Sequence, residues 1–234
     1  MSDLKNKRII TVATTGAWPK KENNPNVPMT PEEIAEDVYA CWKAGAAMAH
    51  LHMRDENGNG TMDKTRFAKT VELLRANHPD CDIIINMTTS GDLNATDETR
   101  QIHLKELHPE MGSFDCGSMN WLNTSLFINH PKFLEELGHN MQEWGVKPEI
   151  EAFDPGMIAN AAEGRPEGSP ALPVLHGLCK RYPRHHEEPD LHEGNHGAVV
   201  PRFHLVLLRC GSQRYGNAVR CSRSGRRYPR RYGR

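Results

Sequence analysis

Ala46 to Met53, AAMAHLHM, followed at once by Arg54-Asp55-Glu56-Asn57-Gly58, is the stretch on which the reading of this chain turns. It is a short, mostly apolar run ending in polar residues and a turn glycine, which suits a buried strand and its exit. His50 and His52 stand two apart in it, so on a strand both side chains leave the same face. On its N-terminal side lies a well-marked helix. Thr30 is placed to cap it, Pro31 takes the first helical position, Glu33 completes a Thr-x-x-Glu box, and Ile34, Val38, Cys41 and Trp42 make one apolar face that Gly45 ends.

Working outward, the same alternation repeats. Arg8 to Ala13 (RIITVA) reads as an earlier strand with a loop bearing Gly16, Pro19 and Pro25. Thr65 to Ala76 reads as a helix with Phe67, Val71 and Leu74 inward, and Ile83 to Met87 as a third strand. Thr96 to Leu107 suits a helix, Met111 to Cys116 a strand, Pro131 to Trp144 a helix and Pro148 to Phe153 a fifth strand. Strands alternating with helices imply an α/β fold with a parallel sheet. Periodicity alone leaves two versions open, an open doubly wound sheet and the first five βα units of a barrel. No GxGxxG or GxxxxGK[ST] follows any strand, which weighs against a nucleotide-binding open sheet.

The candidate chemistry gathers at strand ends. His50 and His52 can converge on one ion, and neutral imidazoles bind Zn2+ at about 2.0–2.1 Å, but spacing alone equally describes one core histidine and one loop histidine. Arg54 and Asp55 sit where a parallel barrel collects its catalysts, or else form a surface ion pair. Thr88, Thr89 and Ser90 follow the third strand, Ser113 and Asp115 lie in the fourth, and Glu151 and Asp154 end the fifth. Each alone is more often a loop-capping group; their recurrence suggests a shared pocket.

Six runs in order, TVATTGA (Thr11 to Ala17), AHLHMRDENG (Ala49 to Gly58), IIINMTTSG (Ile83 to Gly91), PEMGSFDCGSMNW (Pro109 to Trp121), FINHP (Phe127 to Pro131) and KPEIEAFDPGMI (Lys147 to Ile158), resemble the strand-end motifs of the β-keto acid cleavage enzymes, the 3-keto-5-aminohexanoate cleavage family. The resemblance runs from about residue 8 to 160. It implies a (β/α)8 TIM-type barrel, here with the first five βα units intact, in which His50 and His52 match two zinc ligands and a late-strand glutamate is the third. It further implies acyl exchange between a β-keto acid and acetyl-CoA, giving acetoacetate and a new CoA ester, on a homo-tetramer. Thr88 and Ser113 match catalytic, keto-acid-contacting positions, and Glu151 is placed with them as substrate-binding. Trp18 stands where some members carry a glutamate, which argues against a 5-amino substrate.

The net charge of −1 excludes a generally basic polyanion binder, but it averages two different halves. From Glu163 to Arg234 there are 13 arginines and, among lysines, only Lys180, against 5 arginines and 10 lysines before. His185, His186, His192 and His196 have no zinc-finger spacing. Arg226, Arg227, Arg230 and Arg231 interleaved with Tyr228 and Tyr232 fit a disordered tail better than a nucleic-acid surface. The expected organisation is therefore 1–162 as the barrel's N-terminal part and 163–234 as an aberrant tail. Residues Pro173 to Gly197 can be encoded by codons that, read one nucleotide forward, spell QFCMGCVKGIPGTMKNLIYMKETM, which looks like the family's next strand and helix. The expectation is a frameshift near Ala162 that costs the late-strand zinc ligand and leaves open sheet edges on an aggregation-prone, inactive chain. The alternatives are an α/β binding protein with a basic tail for nucleic acid, and a nonfunctional translation product. The six cysteines form no CxxC pair, and neither an apolar run of membrane-spanning length nor an apolar N-terminal leader occurs, so the expected setting is the cytoplasm, without membrane contact.

Overall fold

The structure, a computed structural model, describes residues 9–121 and 125–163 and, beyond them, the backbone of 174–176 and 205–208. The first strand, β1 (Ile9–Ala13), leads through the Gly16–Pro28 loop into α1 (Pro31–Lys43). That helix starts as its sequence requires: the Thr30 hydroxyl accepts from the Glu33 N–H, the Glu33 carboxylate accepts from the Thr30 N–H, and Pro31 occupies the first turn. Next come β2 (Met48–Leu51), the small antiparallel hairpin of β3 (Met53–Arg54) and β4 (Gly60–Thr61), and α2 (Lys64–Asn77). They are followed by β5 (Ile84–Met87), α3 (Ile102–Leu107) and β6 (Met111–Asp115), and then by a second hairpin, β7 (Met119–Trp121) with β8 (Ser125–Phe127). The chain continues through α4 (Pro131–Glu143), β9 (Lys147–Glu151), α5 (Pro155–Glu163), β10 (Val174–His176) and β11 (Leu205–Leu208).

The main sheet is parallel throughout, in the order β10-β9-β6-β5-β2-β1-β11. Its five central strands, β1, β2, β5, β6 and β9, are the five that periodicity predicts, and they make a parallel half-barrel with the helices outside. Alternation along each strand divides the sheet into two faces. Ala49, Leu51, Ile85 and Met87 join Ile34, Val38, Phe67, Leu74, Leu104 and Phe133 in one large apolar core between sheet and helices. The opposite face is short of carbon. Among the described residues only Met48 and Met111 make a small apolar cluster there, and their neighbours by alternation are His50, Asn86, Ser113, Asp115, Glu149 and Glu151. A row of polar side chains on the inner face of a parallel sheet costs desolvation unless the groups pair with one another, so the arrangement marks where to look for chemistry.

The structure departs from the sequence expectation in several places. Ala46 to Met53 is not one strand: it breaks at His52, because Met53 and Arg54 turn away to pair with Thr61 and Gly60. The helix expected from Thr96 begins only at Ile102, the preceding residues forming turns in which the Thr96 hydroxyl accepts from the Thr99 N–H. Beyond residue 163, where no further strand is expected, β10 pairs with β9 and β11 with β1, so the outer edges of β9 and β1 are covered and not open. The histidine cluster 185–196 and the arginine-tyrosine run 226–232 lie outside the described residues. No helix among the described residues is long and apolar enough to cross a membrane.

Candidate metal centre and pocket

The pairing register brings the inner-face residues into rows. His50 of β2 lies beside Asn86 of β5, and on the other side of the site Ser113 and Asp115 of β6 lie beside Glu149 and Glu151 of β9. Side chains in register on parallel neighbours point the same way, so residues 99 positions apart in sequence meet: His50 Nδ1 stands 2.6 Å from Glu149 Oε2.

That contact orients the imidazole. Glu149 is wholly buried, its Oε2 also accepts from the Asn86 amide, and with Nδ1 turned to the same oxygen the Nε2 edge of His50 is directed toward His52. Nδ1 also lies 3.2 Å from Asn86 Nδ2, a contact between two donors that both serve Glu149 and not a bond of its own. His50 and His52 thus face one another through their Nε2 atoms, 3.2 Å apart. Two nitrogens bound to one tetrahedral ion at about 2.0–2.1 Å would stand roughly 3.3–3.4 Å apart. The histidine pair thus has the spacing of a tetrahedron's edge, with the Glu149 carboxyl holding the far nitrogen of His50. Burial, reinforced by the nearby His50 and Arg54, holds His52 well below the usual imidazole pKa, which keeps it in the neutral, lone-pair-bearing form a metal requires.

A second donor set overlaps the first: His50, Glu149 and Glu151 bring one ligand atom each within 4.8 Å of one another. The two sets compete for Glu149. Its 2.6 Å bond to Nδ1, on the far side of the ring from His52, favours the role of orienting His50. Glu151, with Oε1 4.0 Å from His50 Nδ1, is then the more available carboxylate.

Behind the histidines sits a set of acids. Asp115 is buried and pushed up to about 6, by burial first and against the lowering effect of Arg100. Burial raises Glu151 well above the ordinary carboxylate range, and the neighbouring Asp115 and Glu149 raise it further. Three carboxyls on two adjacent strands favour sharing a proton, which is the condition for moving one at neutral pH.

Of the residues expected from sequence, His50, His52, Ser113, Asp115 and Glu151 come together on one face. Thr88 is fully buried beside them, its hydroxyl 3.1 Å from that of Ser90, and the Ser113 hydroxyl accepts from the Thr89 N–H at 2.9 Å. Others serve the scaffold. Asp154 is exposed and its Oδ1 accepts from the Met157 N–H at the start of α5. Asp55 accepts from the N–H groups of Asn57 and Asn59, closing the hairpin turn, and Arg54 makes no surface ion pair among the described residues but is buried against backbone carbonyls. Asn86 and Glu149 escape the sequence reading. The signal for Glu149 is its place two residues before Glu151 on one strand, and for Asn86 that it is the lone polar residue within Ile83–Met87.

Comparison with known proteins agrees in fold and in sequence. A family model described as beta-keto acid cleavage enzyme matches residues 7–186. The 3-keto-5-aminohexanoate cleavage enzyme of Fusobacterium nucleatum is 44% identical over 162 residues, covering 69% of this chain and 58% of that protein. The enzyme of the same name from Acetoanaerobium sticklandii is 39% identical over 168 residues, covering 72% and 60%. The 3-oxoadipate:acetyl-CoA acetyltransferase of Cupriavidus necator is 35% identical over 179 residues, covering 75% and 61%. The chain thus spans about three fifths of the length of these relatives. The solved apo structure of ObcA superposes with a TM-score of 0.53 at 26% identity, over 58% of this chain and 32% of that one.

Proposed function

Because the chain belongs to the beta-keto acid cleavage enzyme family, we propose that its inner face holds Zn2+ on His50 and His52 and presents a β-keto acid for acyl exchange with acetyl-CoA, yielding acetoacetate and a different CoA ester. The observation that carries this reading is the 3.2 Å approach of the two Nε2 atoms with Glu149 holding the far nitrogen of His50. The bound ion would supply Lewis acidity to the keto oxygen. The chain's own residues do the rest: Glu149 and Asn86 fix His50, Asp115 and Glu151 hold the exchangeable proton, and the Thr88–Ser90 loop with Ser113 lines the keto acid's side of the site. The late-strand glutamate implied as third ligand belongs to the forward reading of the segment after residue 162 and not to the 234 residues as written. The cosubstrate reading draws support from relatives named as acetyl-CoA transferases, those for 3-oxoadipate and 3-dehydrocarnitine.

The test is a panel of β-keto acids offered with acetyl-CoA to a protein whose residues after 162 follow the forward reading. Consumption of acetyl-CoA with formation of acetoacetate on at least one of them is the expected result. A panel on which acetyl-CoA is untouched refutes the proposed reaction.

The same reading extends to residues 163–234, which we take to be out of frame. The expected coding sequence from codon 163 onward yields the forward-frame peptide when shifted by one nucleotide, and codons incompatible with that peptide overturn the idea. On this reading the 234-residue chain keeps the strands that bind the keto acid but turns over negligibly. The family match itself continues to residue 186, past the proposed break, so the codons between 162 and 186 are the most informative ones.

A further inference from the structure

The strand-end loop Thr88-Thr89-Ser90 is held by two buried side chains that the chemistry above does not use. Arg100, 5% exposed, directs its whole fork at backbone and amide oxygens: Nε donates to the Thr89 carbonyl at 2.7 Å, one terminal nitrogen to the Ile128 carbonyl at 3.1 Å and the other to Asn129 Oδ1 at 2.6 Å. Its guanidinium lies 4.2 Å from the centre of the Phe133 ring, so the cation is sheltered by an aromatic face and not by a carboxylate in contact. His103 of α3 is fully buried, stacks on Phe67 at 4.5 Å and 16°, and donates from Nε2 to the Thr88 carbonyl at 2.9 Å.

Two consecutive carbonyls are thereby committed to one side of the loop. The opposite groups of the same residues then face the site: the Thr89 N–H reaches Ser113 Oγ at 2.9 Å, Thr89 Oγ1 reaches the Ser113 carbonyl at 3.1 Å, and the hydroxyls of Thr88 and Ser90 meet at 3.1 Å. Asn129, the third partner of Arg100, continues the line. Its amide donates to the Gly117 carbonyl at 3.0 Å and its N–H to the Ser118 hydroxyl at 2.7 Å. Arg100 therefore joins the loop after β5 to the segment after β8 and, through Asn129, to the segment after β6.

We propose that Arg100 and His103 are positioning residues for keto acid binding, fixing the orientation of Thr88, Thr89 and Ser113 through the carbonyls of the Thr88–Ser90 loop. The proposal rests on the functional reading above for the identity of the ligand, but the clamp itself can be tested without it. A lysine at position 100 keeps the charge near Phe133 and loses the fork, whereas alanine loses both.

The experiment uses zinc-loaded protein whose residues after 162 follow the forward reading, acetoacetate as the probe, and Arg100→Ala, Arg100→Lys and His103→Ala variants. Amide hydrogen exchange is followed by mass spectrometry and acetoacetate binding by calorimetry. In Arg100→Ala the peptide containing Thr89 and Ser90 is expected to exchange about tenfold faster, and acetoacetate to bind about tenfold more weakly, as loss of one charge-assisted hydrogen bond implies. Zinc content stays constant, and added guanidinium restores both readings, which a merely structural defect would not allow. Unchanged exchange at Thr89 and Ser90 in Arg100→Ala and His103→Ala, or unchanged acetoacetate affinity, overturns the clamp. If Arg100→Ala does not fold, Arg100→Lys decides between the same two outcomes. If the parent chain binds no acetoacetate, the functional reading fails, while the exchange rates still decide whether the clamp exists.

Discussion

Replacement of both His50 and His52 by alanine, in a protein whose residues after 162 follow the forward reading, is expected to reduce bound zinc from a full equivalent to less than about a tenth, since two of the usual three protein ligands of an open zinc site disappear together. Metal analysis after dialysis measures it, with Glu149→Gln as the graded comparison. Removing the carboxylate that receives the His50 Nδ1 proton leaves both ligands present but unfixed, and a loss of roughly 10–100-fold in zinc affinity is expected. Full retention of zinc by the double variant would place the metal elsewhere, the carboxylate-rich set of His50, Glu149 and Glu151 being the first candidate to lose its histidine and survive.

This pair illustrates what the sequence makes legible. His50 and His52 are visible because the strand period alone puts them on one face, and the fold's five central strands are visible because each is bounded by a capped helix or a turn. Glu149 is not legible in the same way. Its importance depends on register between β6 and β9 and on the closeness of β2 across the inner face, both of which arise from packing of distant segments. The split at His52 is likewise a tertiary effect, since a run such as Ala46–Met53 has no local reason to stop two residues short. The two hairpins were not legible either. Their strands are only two or three residues long, below the length at which alternation can be recognised.

Arg54→Met is expected to be the most damaging single change to stability, by about 3 kcal/mol or more, because it strands several acceptors at once. The Arg54 side chain is 1% exposed, and its terminal nitrogens donate to the carbonyls of Gly58 at 2.9 Å, Gly16 at 2.6 Å and Pro19 at 3.0 Å. It thereby ties the loop after β1 to the hairpin after β2. Methionine fills much of the volume and returns none of the donors, so the loss reports the hydrogen bonds more than the packing. Urea unfolding of the two proteins gives the comparison. A midpoint equal to the parent's would mean that water already serves these carbonyls and that the buried cation contributes nothing net.

The hairpin that Arg54 anchors carries one more constraint. A Cβ on Gly60 would stand 1.9 Å from the carbonyl oxygen of Gly91, just beyond the Thr88–Ser90 loop, and 3.6 Å from that of Ala17. The obstacle is the Gly91 main chain, the Ala17 oxygen standing at ordinary contact distance, so no rotamer change in a neighbour can relieve it. Gly58 differs: an added methyl there meets the flexible tip of Met29, although its φ of +74° also favours glycine. In evolutionary terms position 60 is therefore a site where drift has no compensating partner. The hairpin and the segment at Gly91 are keyed to one another by the absence of a single carbon atom, and a lineage that lost this glycine would have to rebuild the backbone of both to recover the same pocket.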